Sequence, residues 1–116
     1  MTNISKRAYT SEKLNRANNI LRTLQSIHHD FPLLYALCLI EIACDEGMSM
    51  TDLSRKVGAP LSTISRAIGA LSDTRQRGKA YGLVNAIPCL NERRKKLLSL
   101  SSQGHIVIQS IINVNA

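Results

Sequence analysis

Residues 51–72 read TDLSRKVGAPLSTISRAIGALS, and the spacing of their apolar side chains decides the fold. Thr51 is the expected cap of a helix over 52–57 that turns Leu53 and Val57 inward. Gly58 supplies the turn, and Ala59-Pro60 leads into a second helix over 61–72. Leu61, Ile64, Ile68 and Leu71 form a one-sided stripe on that helix. Its other side presents Ser62, Thr63, Ser65 and Arg66. A short helix, a glycine turn and a second helix with a small polar and basic outer face predict a helix-turn-helix.

Downstream, residues 73–81 (DTRQRGKAY) are polar and basic, with Gly78 among them, and read as a loop or a frayed helix end. Residues 83–89 (LVNAIPC) and 96–100 (KLLSL) are strand-like, joined by Leu90-Asn91-Glu92-Arg93-Arg94-Lys95. Pro88 confines the first strand to an edge, which suits a two-stranded hairpin. A last helix starts at Ser101 or Ser102 and carries Ile106, Val107, Ile108, Ile111 and Ile112. Upstream, residues 33–45 are apolar on most sides and predict the central core helix, with Gly47 ending it as a C′ residue. Met48-Ser49-Met50 then forms a short extended link. Residues 11–29 predict a further helix, with Ser11 as N-cap and a narrow stripe through Leu14, Ala17, Ile20 or Leu21, Leu24 and Ile27 or His28. Residues 1–10 are expected to be a flexible arm. The whole predicts one mainly α domain over 1–116 with a small β-hairpin wing.

The charge supports this division. The chain of 116 residues carries 15 Lys+Arg against 8 Asp+Glu, a formal charge of +7. Residues 1–50 hold five bases and five acids, and residues 97–116 hold neither. Residues 51–96 hold ten bases and three acids, so the whole excess falls on the stretch that reads as helix-turn-helix plus hairpin. A charge kept only for solubility has no reason to concentrate in this way; a surface that faces phosphates does. Aromatics make up 3% with no Trp, which argues against a stacking platform for single-stranded nucleic acid.

Several chemistries are excluded. Cys38, Cys44 and Cys89 are odd in number and lack a CxxC spacing, which predicts reduced thiols, with Cys38 and Cys44 buried, in a cytoplasmic protein. With His28, His29 and His105 they make no zinc spacing, so no metal site and no cofactor are expected. No nucleophile elbow, Walker A, HExxH or GxGxxG motif occurs, and an enzyme is not expected. Residues 1–13 have no apolar core of a signal peptide. The longest apolar stretch, 31–44, contains Glu41 and is too short to span a bilayer, so no membrane association is expected.

In this setting the sequence resembles the MarR family of bacterial transcriptional regulators. Residues 50–58 (MTDLSRKVG) look like that family's first motif helix and turn, and Ser62-Thr63-Ile64-Ser65-Arg66 like the start of its recognition helix. Residues 92–104 (ERRKKLLSLSSQG) resemble its wing pattern: an acid, two arginines, a hydrophobic strand, then a hydroxyl residue and a glycine opening the last helix. Gly82-Leu83-Val84 matches the entry into the wing. The resemblance covers about residues 33–112. Three departures stand out. Glu92 occupies the place of the family's usual Asp, about seven extra residues lie between Leu71 and Gly82, and 12 residues follow Gly104 where the family has a long helical extension.

These readings predict a winged helix-turn-helix that binds double-stranded DNA, and a dimeric transcriptional repressor acting by promoter occlusion. Ser62, Thr63, Ser65 and Arg66 are expected in the major groove. Asn91, Arg93, Arg94 and Lys95 are expected on the wing, and Arg75, Arg77 and Lys79 near the phosphates. The resemblance implies that Arg94 inserts into the minor groove and that Glu92 braces it. It also allows a small-molecule effector, for which the residues themselves supply no pocket. The helices over 11–29 and 102–113 are expected to contribute to a homodimer. Two other readings stay open: a plasmid or phage replication, partition or packaging factor that binds DNA, and a winged-helix module that binds protein.

Overall fold

The computed structural model describes residues 11–72, 80–92 and 95–113. Eight elements follow in order: α1 (Ser11–Gln25), α2 (Leu33–Cys44), β1 (Met48–Ser49), α3 (Met50–Val57), α4 (Leu61–Leu71), β2 (Val84–Pro88), β3 (Lys96–Leu100) and α5 (Ser102–Asn113). The protein is mainly α with a small antiparallel sheet, the winged helix-turn-helix arrangement expected. The expected arm over 1–10 lies outside the described residues.

α1 is shorter than the 11–29 expected. It ends at Gln25, where the Ser26 hydroxyl donates to the Thr23 carbonyl and the Ile27 N–H turns back to Leu24 at 3.1 Å. Hydroxyl bonds to nearby carbonyls compete with helix continuation, and Pro32 then forces the chain out. Ser11, expected as the cap, is already helical. Pro32 opens α2, and Phe31, Tyr35 and Tyr81 meet edge-to-face, the closest pair with centroids 5.2 Å apart.

α2 is only half a core helix. Ala36, Cys38, Leu39 and Ile42 are buried. Leu33, Leu37, Ile40 and Cys44 recur at spacings of four, three and four, and this second face is exposed. An all-round apolar composition hides which side lacks a partner, and so the expected burial of Cys44 is corrected here.

The helix-turn-helix forms as its sequence dictates. α3 ends at Gly58, whose φ of +78° places it in the left-handed region that favours glycine. The Gly58 and Ala59 N–H groups both donate to the Ser54 carbonyl, and the Ser54 hydroxyl donates to the Ala59 carbonyl at 2.6 Å. The turn is closed from both sides. Leu53, Ile64, Ile68 and Leu71 are fully buried against Leu39, Ile42 and Leu98. The cap of α3 is Ser49, not Thr51: the Asp52 N–H donates to the Ser49 hydroxyl at 3.1 Å, and the Ser49 N–H donates to the Asp52 carboxylate. Ser49-x-x-Asp52 is a capping box starting two residues earlier than expected.

The wing is three-stranded instead of a two-stranded hairpin. The order is β1-β3-β2, all antiparallel, with Met48 opposite Leu98 and Ala86 opposite Leu98 on the other side. β3 is therefore central, and β2 with Pro88 is an edge, as a proline requires. Residues 48–49, expected as a mere link, supply β1, while Met50 already belongs to α3. Asp45, not Gly47, caps α2; the Gly47 N–H instead donates to the Leu98 carbonyl at 2.7 Å and starts the sheet. Beyond β1, the Glu46 carboxylate accepts the Leu100 N–H at 2.8 Å, standing in for a missing strand partner.

The chain after α4 returns to where it left. Tyr81, Gly82 and Leu83 donate their N–H groups to the carbonyls of Ala70, Ser72 and Leu71. Ser101 caps α5: its hydroxyl accepts the Gly104 N–H at 3.0 Å and donates to the Gly82 carbonyl at 2.6 Å. Among the described residues no helix is long and apolar enough to cross a membrane.

Candidate nucleic-acid interface

α4 presents two unlike sides, and the helical period of 3.6 residues explains how. Ile64, Ala67, Ile68, Ala70 and Leu71 face the core. Ser62, Ser65 and Arg66 are exposed on the opposite side. Thr63 is half-buried, because it falls on the flank of Ala67 and Ala70. Arg66 carries no ion pair among the described residues. Arg55 and Lys56 on α3 differ: Arg55 lies 3.7 Å from Asp52, and Lys56 lies 3.3 Å from Asp45.

Between α3, α4 and the base of the wing lies an open concavity of about 500 Å³. Met50, Thr51, Leu61, Ser62 and Ser65 line it from the helices, and Lys95 and Lys96 from the wing. Both lysines are exposed. The fold brings them here by register, since Lys96 opens β3 opposite Pro88 and β3 also pairs with β1, the strand that runs straight into α3. Hydrogen bonding from Ser49, through its hydroxyl and then its N–H, holds the Asp52 carboxyl below its ordinary range, and the nearby charges of Arg55 and Lys95 act in the same direction. α4 opens at Pro60 with no side-chain cap, so the first N–H groups of the helix face this surface without one.

The wing turn is closed by the Lys95 N–H donating to the Glu92 carbonyl at 2.9 Å and the Cys89 N–H donating to the Lys95 carbonyl at 2.7 Å. Asn91 and Glu92 are exposed there. The remaining expected contacts, Arg75, Arg77, Lys79, Arg93 and Arg94, lie outside the described residues, and with them the bracing of Arg94 by Glu92. The structure thus brings Ser62, Ser65 and Lys95 to one surface and adds Thr51, Leu61 and Lys96, none of which was expected as a contact. Lys96 was legible as the base ending the Arg93-to-Lys96 run. Leu61 was not, because its spacing assigns it to the core stripe. Among the described residues no group of three or more His, Cys, Asp and Glu side chains could hold a metal.

No protein-family model matches the chain, and no curated protein matches it in sequence. Its fold does match solved structures. RV1404 from Mycobacterium tuberculosis superposes with a TM-score of 0.71 at 13% identity, over 89% of this chain and 66% of that one. The S. aureus MepR–DNA complex gives 0.69 at 14% identity, over 89% of this chain and 75% of MepR. A MarR transcriptional regulator from Methanosarcina mazei Go1 gives 0.67 at 16% identity, over 89% and 68%. The chain thus spans about two thirds to three quarters of the length of these proteins. Its fold is that of the MarR-type winged-helix regulators.

Proposed function

We propose that the chain is a sequence-specific regulator of transcription that binds double-stranded DNA as a homodimer and represses by occluding a promoter. One coincidence carries this reading. The segment that holds the entire net charge is the one that builds the concave face of α3, α4 and the wing base. A recognition helix places its first turns against base edges, and Ser62, Ser65 and Arg66 are the exposed polar side chains of those turns. Lys95 and Lys96 then meet phosphates at the groove edge, and the minor-groove role is assigned to Arg94, as the family resemblance implies. The likeness of fold to MepR, solved with DNA, supports the same reading. Binding rather than catalysis is the activity, and the cytoplasm, where a bacterial promoter lies, is its place.

The exposed apolar side chains away from this face support the homodimer. Leu14 and Leu21 on α1 and Ile106 and Ile112 on α5 stay exposed, although α1 and α5 pack on each other. A two-fold pair would present two recognition helices to half-sites about 34 Å apart. Selection of bound sequences from random duplex DNA tests the proposal. A palindromic consensus with that spacing is expected, with an affinity that falls steeply with salt. No enrichment, or binding indifferent to salt, overturns it.

A further inference from the structure

Leu61 is the one large apolar side chain exposed on α3 and α4 among the described residues, at 49% of its surface. It opens the recognition helix and lines the concavity beside half-buried Met50, with Ser62 and Ser65 next to it and Lys95 and Lys96 across from it. An apolar patch inside a basic surface has few partners on a duplex. It gains nothing from a phosphate, and the polar edges of bases lose hydrogen bonds to water against it. The apolar group that the major groove of B-DNA displays is the C5-methyl of thymine. The lysines fix the choice of partner, because they hold a polyanion against this face while the leucine meets what lies between the phosphate rows.

We infer that Leu61, backed by Met50, receives a thymine C5-methyl in each half-site and is a specificity-determining residue. This rests on the DNA-binding reading above. The rest of α4's exposed face reads hydrogen-bonding groups; Leu61 reads the methyl, which separates thymine from cytosine without a hydrogen bond. Burial of one methyl corresponds to about three- to five-fold in affinity.

The test replaces each thymine of the best selected duplex, one at a time, by deoxyuridine. This removes the methyl and leaves every hydrogen-bonding group of the pair. With the wild-type protein, one thymine per half-site should weaken binding about three- to five-fold when replaced. With Leu61→Ala that loss should vanish, while changes at other base pairs keep their effects. Leu61→Gln, which keeps a good helix former but ends in an amide, should lose the methyl effect as well. A flat deoxyuridine series with the wild-type protein, or full methyl sensitivity in both variants, overturns the assignment and leaves DNA binding intact. Failure to enrich any duplex overturns both.

Discussion

Gly104 in α5 lies directly against the backbone carbonyl of Leu83. A Cβ at position 104 would enter the space of that oxygen and would also stand 3.4 Å from the Leu100 Cβ. The neighbouring bonds hold the oxygen in place, since Leu83 donates to Leu71 and accepts from Ser101. α5 can approach the wing entry this closely only without a side chain there.

Gly104→Ala should therefore destabilise the protein, although alanine is the better helix former. A fixed backbone atom cannot rotate aside as a side chain can, and a cost of about 1–3 kcal/mol is expected. Thermal or urea unfolding checks it, with Ser102→Ala at the exposed first position of α5 as the control. Equal stability of Gly104→Ala and wild type would falsify the close approach.

Ser49→Ala should cost about 1 kcal/mol, the usual worth of a helix N-cap, whereas Thr51→Ala should cost far less. Asp52 adds a pH dependence whose sign is fixed. Its folded carboxyl sits below the ordinary value, chiefly through Ser49. The stability it contributes is complete above about pH 4 and is lost as pH falls through the lower folded value. Unfolding midpoints followed from pH 6 downward should show this acid limb in the wild type and a weaker one in Asp52→Asn.

The thiols should separate by burial. Cys38 is fully buried, and that burial pushes its thiol up to about 11. Cys44 is exposed and Cys89 intermediate. Alkylation of the native protein should label Cys44 first, then Cys89, and leave Cys38 until unfolding. Mass spectrometry of the labelled chain decides it, and early loss of the Cys38 thiol would contradict the packing of α2.

On a selected duplex, Arg66→Ala should cost about 1–3 kcal/mol and relax preference at one base pair. Lys95→Ala should weaken all sequences alike and reduce the salt slope by about one. Arg94→Ala should weaken the selected site more than random DNA, because a narrow groove is read by its shape. Titration at three or more salt concentrations separates these outcomes.

The helix-turn-helix was legible because each of its signals is local: the stripe through Ile64, Ile68 and Leu71, and a glycine where the chain must turn. The capping box was legible in principle, since Ser49 and Asp52 stand three apart, but Thr51 offered a competing hydroxyl. Two features had no local signal. β1 is two residues long, and its partner β3 lies almost fifty residues away in sequence. Glu46 satisfies the Leu100 N–H across 54 residues, a contact that only the folded topology creates. At the candidate interface, hydroxyl and basic residues were readable from type and spacing. Leu61 was not, because periodicity says which side of a helix is apolar and not where the core stops covering it.

Ser49 pairs with Leu97 of the wing and is also the residue whose hydroxyl opens α3. One amino acid thus belongs to both the wing and the motif helices, with no hinge between them. Wing and motif helices must tilt together as a single jaw. In the proposed dimer, a signal that released the protein from a duplex would therefore act by changing the angle or separation of two such jaws, and not by bending a wing away from its own helix.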